Sequence, residues 1–124
     1  MFATKHLGHF ALVAHLAPLP TAAPRGRVIT VGSFAARSER LDLTDLQSER
    51  DYRPKRTYGR SKLAQMLFGF ELDRRLRASG ADTASIVATP VTHMTDPDAA
   101  AELRAAGAEL TGVDPLDCPT TSIR

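Results

Sequence analysis

The chain has 124 residues, 43% of them hydrophobic and 24% charged, with a net charge of +2 at pH 7. That length allows one domain core and excludes two, and the composition is that of a soluble globular protein. So small a charge excess excludes a nucleic-acid surface built on electrostatics.

The arginines interleave with acids, as in SERLDLTDLQSERDYRPKR, which reads as a solvated face rather than a phosphate-binding stripe. Cys118 is the single cysteine. No internal disulfide can form, and a reducing compartment, taken as the cytoplasm, fits. Near an irregular terminus this thiol reads as inert. No apolar run reaches the ~20 residues that a membrane-spanning helix needs.

Residues 3–17 read as an amphipathic helix, with Phe2, Leu7, Phe10, Ala11 and Ala14 at helical spacing. Pro18 and Pro20 are expected to close it. The first 24 residues also have the look of a signal peptide, with Lys5 followed by FALVAHLAPLPTAAP. His9 and His15 interrupt that apolar stretch, which favours the helix. TAAPRG follows as a turn. RVITVG, residues 27–32, is short and rich in β-branched residues, the pattern of a buried strand.

Residues 34–56 read as a long polar loop with a turn of helix in LTDLQSE. A second helix is expected over 57–78. Leu63, Met66, Leu67 and Phe70 form its apolar stripe, and Phe68, Leu72 and Leu76 widen it so that both flanks pack. Arg74, Arg75 and Arg77 suit its negative C-terminal end, and Gly80 is placed to cap it. A second strand is expected over 83–88, ending before Pro90. Asp96 and Pro97 then open a third helix as N-cap and first-turn proline, giving DAAAELRAAG. The tail after it has no periodicity and is expected to be loose.

Helix, strand, helix, strand, helix is an α/β order that implies a parallel sheet. Only two strands are encoded, whereas a parallel pair buried by helices normally belongs to a larger sheet.

The chemistry-bearing residues cluster at one place in this layout. Tyr58 and Lys62 are four apart in the second helix and so share a face. They can point into the cleft at the C-terminal edge of the strands, where open α/β sheets bind ligands. A nearby ammonium stabilises a phenolate, which would make the phenol usable as a proton donor or acceptor. Ser33 follows RVITVG directly at the same edge, where a hydroxyl can polarise a carbonyl oxygen. The alternatives are an exposed Tyr–Lys pair on a helix surface and a serine that merely leaves a strand.

In strand-then-helix context, Ser33, Tyr58 and Lys62 resemble the catalytic Ser, Tyr and Lys of the short-chain dehydrogenase/reductase family. The wording is closest to the group of retinol dehydrogenases, protochlorophyllide reductases and WW-domain oxidoreductases. FATKHLGHFAL resembles the group's FATNHLGHFAL, and RVITVGSFAAR its RVVTVSSLAHR. LDLTDLQSERDY is similar to its post-strand insertion, and TYGRSKLAQMLFGFELDRRL to its YxxSKLANxLFxxEL helix. The similarity runs from residue 2 to about residue 96.

The resemblance implies a Rossmann fold, NAD or NADP as cofactor, and hydride exchange between a small-molecule alcohol and a carbonyl. Carried over, Tyr58 is the general acid/base and Ser33 orients the substrate oxygen. Lys62 eases ionisation of the tyrosine and holds the nicotinamide ribose. Pro90 and Thr95 correspond to a Pro-Gly turn and a following Thr that contact the cofactor.

There are departures. Lys5 stands where the family has an Asn that anchors a water of the proton relay, and a charged lysine donates but cannot accept. The family's Pro-Gly is Pro90-Val91 here, so a turn that uses glycine's freedom is altered. No GxxxGxG or GxGxxG phosphate loop occurs in the sequence. The expected architecture is therefore α/β, a partial Rossmann domain over 1–98 with two parallel strands and three helices, lacking the N-terminal cofactor-binding half. Residues 99–124 would add a short helix and tail. Two expectations follow: a piece of an oxidoreductase completed by another chain, or a non-catalytic remnant that at most associates with other proteins; in either case the bare sheet edge favours self-association.

Overall fold

The computed structural model describes residues 1–88 and 97–114. Its elements are a π-helical turn, Ala3–Leu7; helices α1, Gly8–Leu16, and α2, Pro18–Ala22; strand β1, Arg27–Val31; and a 3-10 turn, Phe34–Ser38. Helix α3, Pro54–Ala78, strand β2, Ala84–Ala88, and helix α4, Pro97–Thr111, complete it. The two strands are parallel, with Thr30 opposite Val87 and Val31 opposite Ala88. With α3 as the crossover between them, they make one βαβ unit, as the α/β order predicts.

Helix α3 is the spine. Pro54 suits its first turn because a first-turn N–H has no helical partner to lose. Its C-terminal end is a Schellman motif, as Gly80 predicts. Gly80 has φ +74, its N–H donates to the Arg77 oxygen, and the Ala81 N–H donates to the Leu76 oxygen.

Both flanks of α3 are buried. Leu63, Ala64, Met66 and Leu67 pack with Phe2, Ala36, Ala100 and Leu103. Phe68, Leu72 and Leu76 pack with Phe10, against which Val28 and Ala108 also rest. Gly69 lets the helix lie directly on the sheet: a Cβ there would stand 2.7 Å from Val87 Cγ2 and 3.2 Å from Thr30 Oγ1. Asp73 then ties helix to strand, its Oδ1 accepting from the Ser85 N–H at 3.0 Å.

The buried Glu71 carboxylate accepts from Arg74 at 2.8 and 2.9 Å and from Arg75 at 2.6 Å. Hydrogen bonding from Arg74 holds its carboxyl down at about 2, with Arg75 adding to the effect against the cost of burial. The arginines near the end of α3 thus act through acids one turn back as well as through the helix end.

Several expectations are corrected. The first helix neither runs unbroken over 3–17 nor stops at the prolines. Its first turn is wound with one extra residue, the Gly8 N–H reaching back five positions to the Ala3 oxygen. Its path continues through Ala17, which keeps helical angles, into α2. Pro18 opens that new turn, where its missing N–H costs little, and TAAPRG gives up Thr21 and Ala22 to the helix.

The strands are not buried on both faces. Thr30 and Ser85 are buried and Val28 and Val87 partly so, whereas Ile29 is 57%, Val31 62% and Ile86 44% exposed. The helical turn expected in LTDLQSE is absent; Asp42 and Asp45 instead hold turns by accepting the Thr44, Glu49 and Arg50 N–H groups. The short helical turn lies earlier, at Phe34–Ser38. Helix α4 passes through Gly107 to Thr111, because Gly107 is where Phe10 lies against it, a Cβ there meeting the ring at 2.9 Å. The expected N-cap Asp96 lies outside the described residues, as does Cys118.

Candidate active site

Of the residues singled out by the sequence, Ser33 and Lys62 stand at the C-terminal end of β1. Val31 closes the strand, and Ser33 follows in extended conformation as the N-cap of the 3-10 turn. Its Oγ accepts from the Ala35 N–H at 3.2 Å, which leaves the hydroxyl proton free to donate. Beside it a shallow concavity of about 430 Å³ is lined by Phe34, Ala35, Arg37 and Ser38.

The start of α3 presses on this turn. A Cβ at Gly59 would lie 2.7 Å from the Ala35 carbonyl oxygen and 2.7 Å from Glu39 Cγ, so only glycine allows the approach. Tyr58, immediately before it, is half-buried, and Ser61 is fully buried. The Ser61 hydroxyl donates to the Tyr58 carbonyl oxygen at 2.8 Å, which fixes the turn that carries the tyrosine.

One turn on, the Lys62 ammonium donates to the Val31 oxygen and to Gln65 Oε1, each at 3.2 Å. Two of its three protons are thereby used, and among the described residues the third has no acceptor. Lys62 therefore stands at the strand end, Ser33 two residues beyond that end, and Tyr58 one turn before Lys62 on the same helix. Among the described residues no hydrogen bond joins the Tyr58 hydroxyl to Ser33 or Lys62. Pro90 and Thr95 lie outside the described residues.

Lys5 arrives from the π-helical turn, its Nζ 5.9 Å from the centroid of the Tyr58 ring, within the range of a cation–π contact. Helical windings with an inserted residue recur at functional sites because they re-aim side chains. Next to Lys5, His6 is 1% exposed, with ring contacts to Phe2, Phe10 and Phe68. Neither ring nitrogen has a hydrogen-bond partner among the described residues. Burial, with the nearby His9 adding, pushes its pKa down to about 4.

The sequence reading passed over two members of this cluster. Gln65 is buried, its Nε2 3.1 Å from His9 Nδ1, while its Oε1 accepts from Lys62. Its position three residues after Lys62, on the same helix face, was the available signal. In the sequence His9 reads only as a polar interruption of an apolar run.

No metal-binding group of three or more His, Cys, Asp or Glu residues occurs among the described residues. No helix there is long and apolar enough to cross a membrane.

No protein-family model matches the chain. Curated relatives do. Human retinol dehydrogenase 11 is 43% identical over 83 residues, 65% of this chain and 26% of the relative. Human retinol dehydrogenase 13 is 41% identical over 80 residues, 64% of this chain and 24% of the relative. Human polyprenol dehydrogenase is 38% identical over 101 residues, 77% of this chain and 30% of the relative. The chain thus spans 24% to 30% of the length of these proteins.

Among solved structures, an uncharacterized protein from Mycobacterium paratuberculosis superposes with a TM-score of 0.80 at 26% identity. The match covers 91% of this chain and 59% of that one. The βαβ unit is accordingly part of a Rossmann-like fold. Matching wording around Ser33, Tyr58 and Lys62, the relatives' identity and the shared fold agree, and the chain belongs to the short-chain dehydrogenase/reductase family.

Proposed function

We propose that this chain carries the catalytic corner of an NAD- or NADP-dependent oxidoreductase that interconverts a small-molecule alcohol and a carbonyl. In this reading Tyr58 gives or takes the proton on the substrate oxygen, and Ser33 orients that oxygen by donating its free hydroxyl proton. Lys62 stabilises the phenolate and offers its third N–H to a ribose hydroxyl. The nicotinamide, when bound, supplies or accepts the hydride. The observation that supports the reading is the hydrogen bond from Lys62 Nζ to the Val31 oxygen. It brings a cation from the tyrosine-bearing helix to the strand end that leads into Ser33.

The residues present fit the ribose–nicotinamide side of a dinucleotide. They do not fit its pyrophosphate, for which a glycine turn at a helix N-terminus would be needed, and the sequence holds no such glycine pattern. Activity in this reading therefore requires a pyrophosphate-binding turn from residues outside this sequence, which a second copy of it cannot supply. A second reading, a non-catalytic remnant that serves at most in protein association, is favoured by Lys5 at the place of the relay Asn.

Titration with NADH and NADPH, followed by nicotinamide fluorescence, tests the incompleteness of the site. A few ribose contacts must offset an association cost of at least several kcal/mol, so no saturation is expected at micromolar concentration. Low-micromolar binding by a monomer would overturn it. Tyr58→Phe in a chain joined to the N-terminal half of a close relative separates the two readings. Loss of carbonyl reduction supports catalysis, and absence of activity before the substitution supports the remnant.

A further inference from the structure

We propose that Gln65 is a positioning residue for Lys62, and that His9 sets which way its amide faces. The proposal rests on the role given to Lys62 above and adds two residues to it.

The argument is one of donors and acceptors. His9 Nδ1 has two polar neighbours of opposite kind: the Gln65 Nε2 amide at 3.1 Å and the Lys5 carbonyl oxygen at 3.0 Å. A ring nitrogen carries either a lone pair or a proton, so it can satisfy one neighbour at a time. With a lone pair on Nδ1, the Gln65 NH₂ donates to His9. The amide carbonyl then faces Lys62 and accepts from its ammonium at 3.2 Å.

With a proton on Nδ1, His9 donates to the Lys5 oxygen and the Gln65 NH₂ loses its acceptor. Rotating the amide by half a turn would offer its carbonyl to the histidine, but would set its NH₂ against the ammonium, donor against donor. Unrotated, the amide keeps Lys62 but leaves a buried NH₂ unpaired; rotated, it relieves that cost and gives up Lys62. Gln65 is 8% exposed, so water is a poor substitute partner for the amide. The charged residues that touch this chain of bonds are Lys5, through its backbone oxygen on the segment that carries His9, and Lys62 on α3. Buried His6 beside them is neutral above about pH 4. Lys5 in turn lies over Tyr58. The geometry therefore couples the charge on an exposed histidine to the placement of the lysine through one buried amide.

Nuclear magnetic resonance on the isolated chain tests this without cofactor or substrate. Imidazole ¹⁵N shifts report the tautomer of His9, and the Lys62 side-chain ¹³Cε shift reports its surroundings as pH is lowered. In the unsubstituted chain, deprotonated His9 is expected as the Nε2–H tautomer, and Lys62 is expected to show a step that tracks the His9 titration. Gln65→Leu, which keeps helix propensity and volume, should move His9 toward the Nδ1–H tautomer and abolish the Lys62 step. His9→Ala, at an exposed position, should abolish the same step while leaving the Tm within a few degrees. An Nδ1–H tautomer in the unsubstituted chain above the His9 titration would overturn the proposal. So would a Lys62 step that persists in either variant. Because none of these readouts uses activity, their failure leaves the catalytic reading of Lys62 standing, and failure of that reading leaves the coupling intact.

Discussion

The Lys62 ammonium donates to the carbonyl oxygen of Val31, joining the helix that carries Tyr58 to the end of the strand that precedes Ser33. This bond is exposed and its ammonium is shared with Gln65, so its net structural worth is at most that of an ordinary hydrogen bond, about 1 kcal/mol. Lys62→Met should accordingly lower the stability of the chain by no more than about 1 kcal/mol in urea denaturation. In a chain completed with a relative's N-terminal half, the same substitution should remove nearly all carbonyl reduction. Unfolding of the variant would show the lysine to be chiefly structural.

Gly69 meets the sheet where Thr30 and Val87 pair. Glycine inside a helix costs about 1 kcal/mol relative to alanine, yet the space for a side chain is missing here. Gly69→Val is expected to destabilise by about 1–3 kcal/mol through overpacking. Val87→Ala on top of it should recover part of that loss, because the nearest obstructing atom is Val87 Cγ2. Additive losses in the double-mutant cycle would count against the contact.

His6 gives the chain an acid limit. Its folded pKa of about 4 lies below the ordinary value of 6.5, so between those pH values the unfolded chain binds the extra proton. Stability is then fully present above about pH 6.5 and falls as pH drops toward 4, by on the order of 3 kcal/mol. His6→Leu should keep its stability at pH 7 and lose this slope in urea titrations at stepped pH. Glu71 acts in a lower window. Its stabilisation is present above about 4.5 and is lost as pH falls toward 2, so the two contributions separate on one pH series. A slope between pH 6.5 and 4 unchanged by His6→Leu would refute the assignment.

Lys5 is expected to slow proton transfer. A charged amine over the Tyr58 ring can donate but not accept, so it cannot anchor a relay water as an amide can. In the completed chain, Lys5→Asn should reduce carbonyls about ten- to a hundredfold faster, the size of a typical proton-transfer contribution. Equal or lower activity of the Asn variant would mean that the lysine has taken over the relay.

The helices and strands were legible because their patterns were local. The apolar stripe of α3, the β-branched run of β1 and the glycine after Ala78 each act through contacts set by nearby residues. What escaped was decided by tertiary contact. Ile29 and Val31 look like inward residues, but Gly69 brings α3 onto the face of Thr30, so the more apolar face of β1 points outward. The extra residue in the Ala3–Leu7 turn follows from no propensity rule, and Pro18 stopped nothing because Ala17 kept helical angles. At the candidate site, Ser33, Tyr58 and Lys62 stood out in the sequence through a motif. Gln65 and His9 did not, because their meaning lies in one hydrogen bond between residues far apart in sequence.

The outward placement of Ile29, Val31 and Ile86 also bears on the thermodynamics of unfolding. These side chains, 57%, 62% and 44% exposed, already meet water in the folded chain, so melting adds little to their hydration. The heat capacity of unfolding scales with newly exposed apolar area, and ordinary domains give about 12–15 cal/mol/K per residue. This chain should fall below that range by calorimetry, with a denaturant m-value low for its length. Its stability curve would then be flatter than usual, with a weak dependence on temperature.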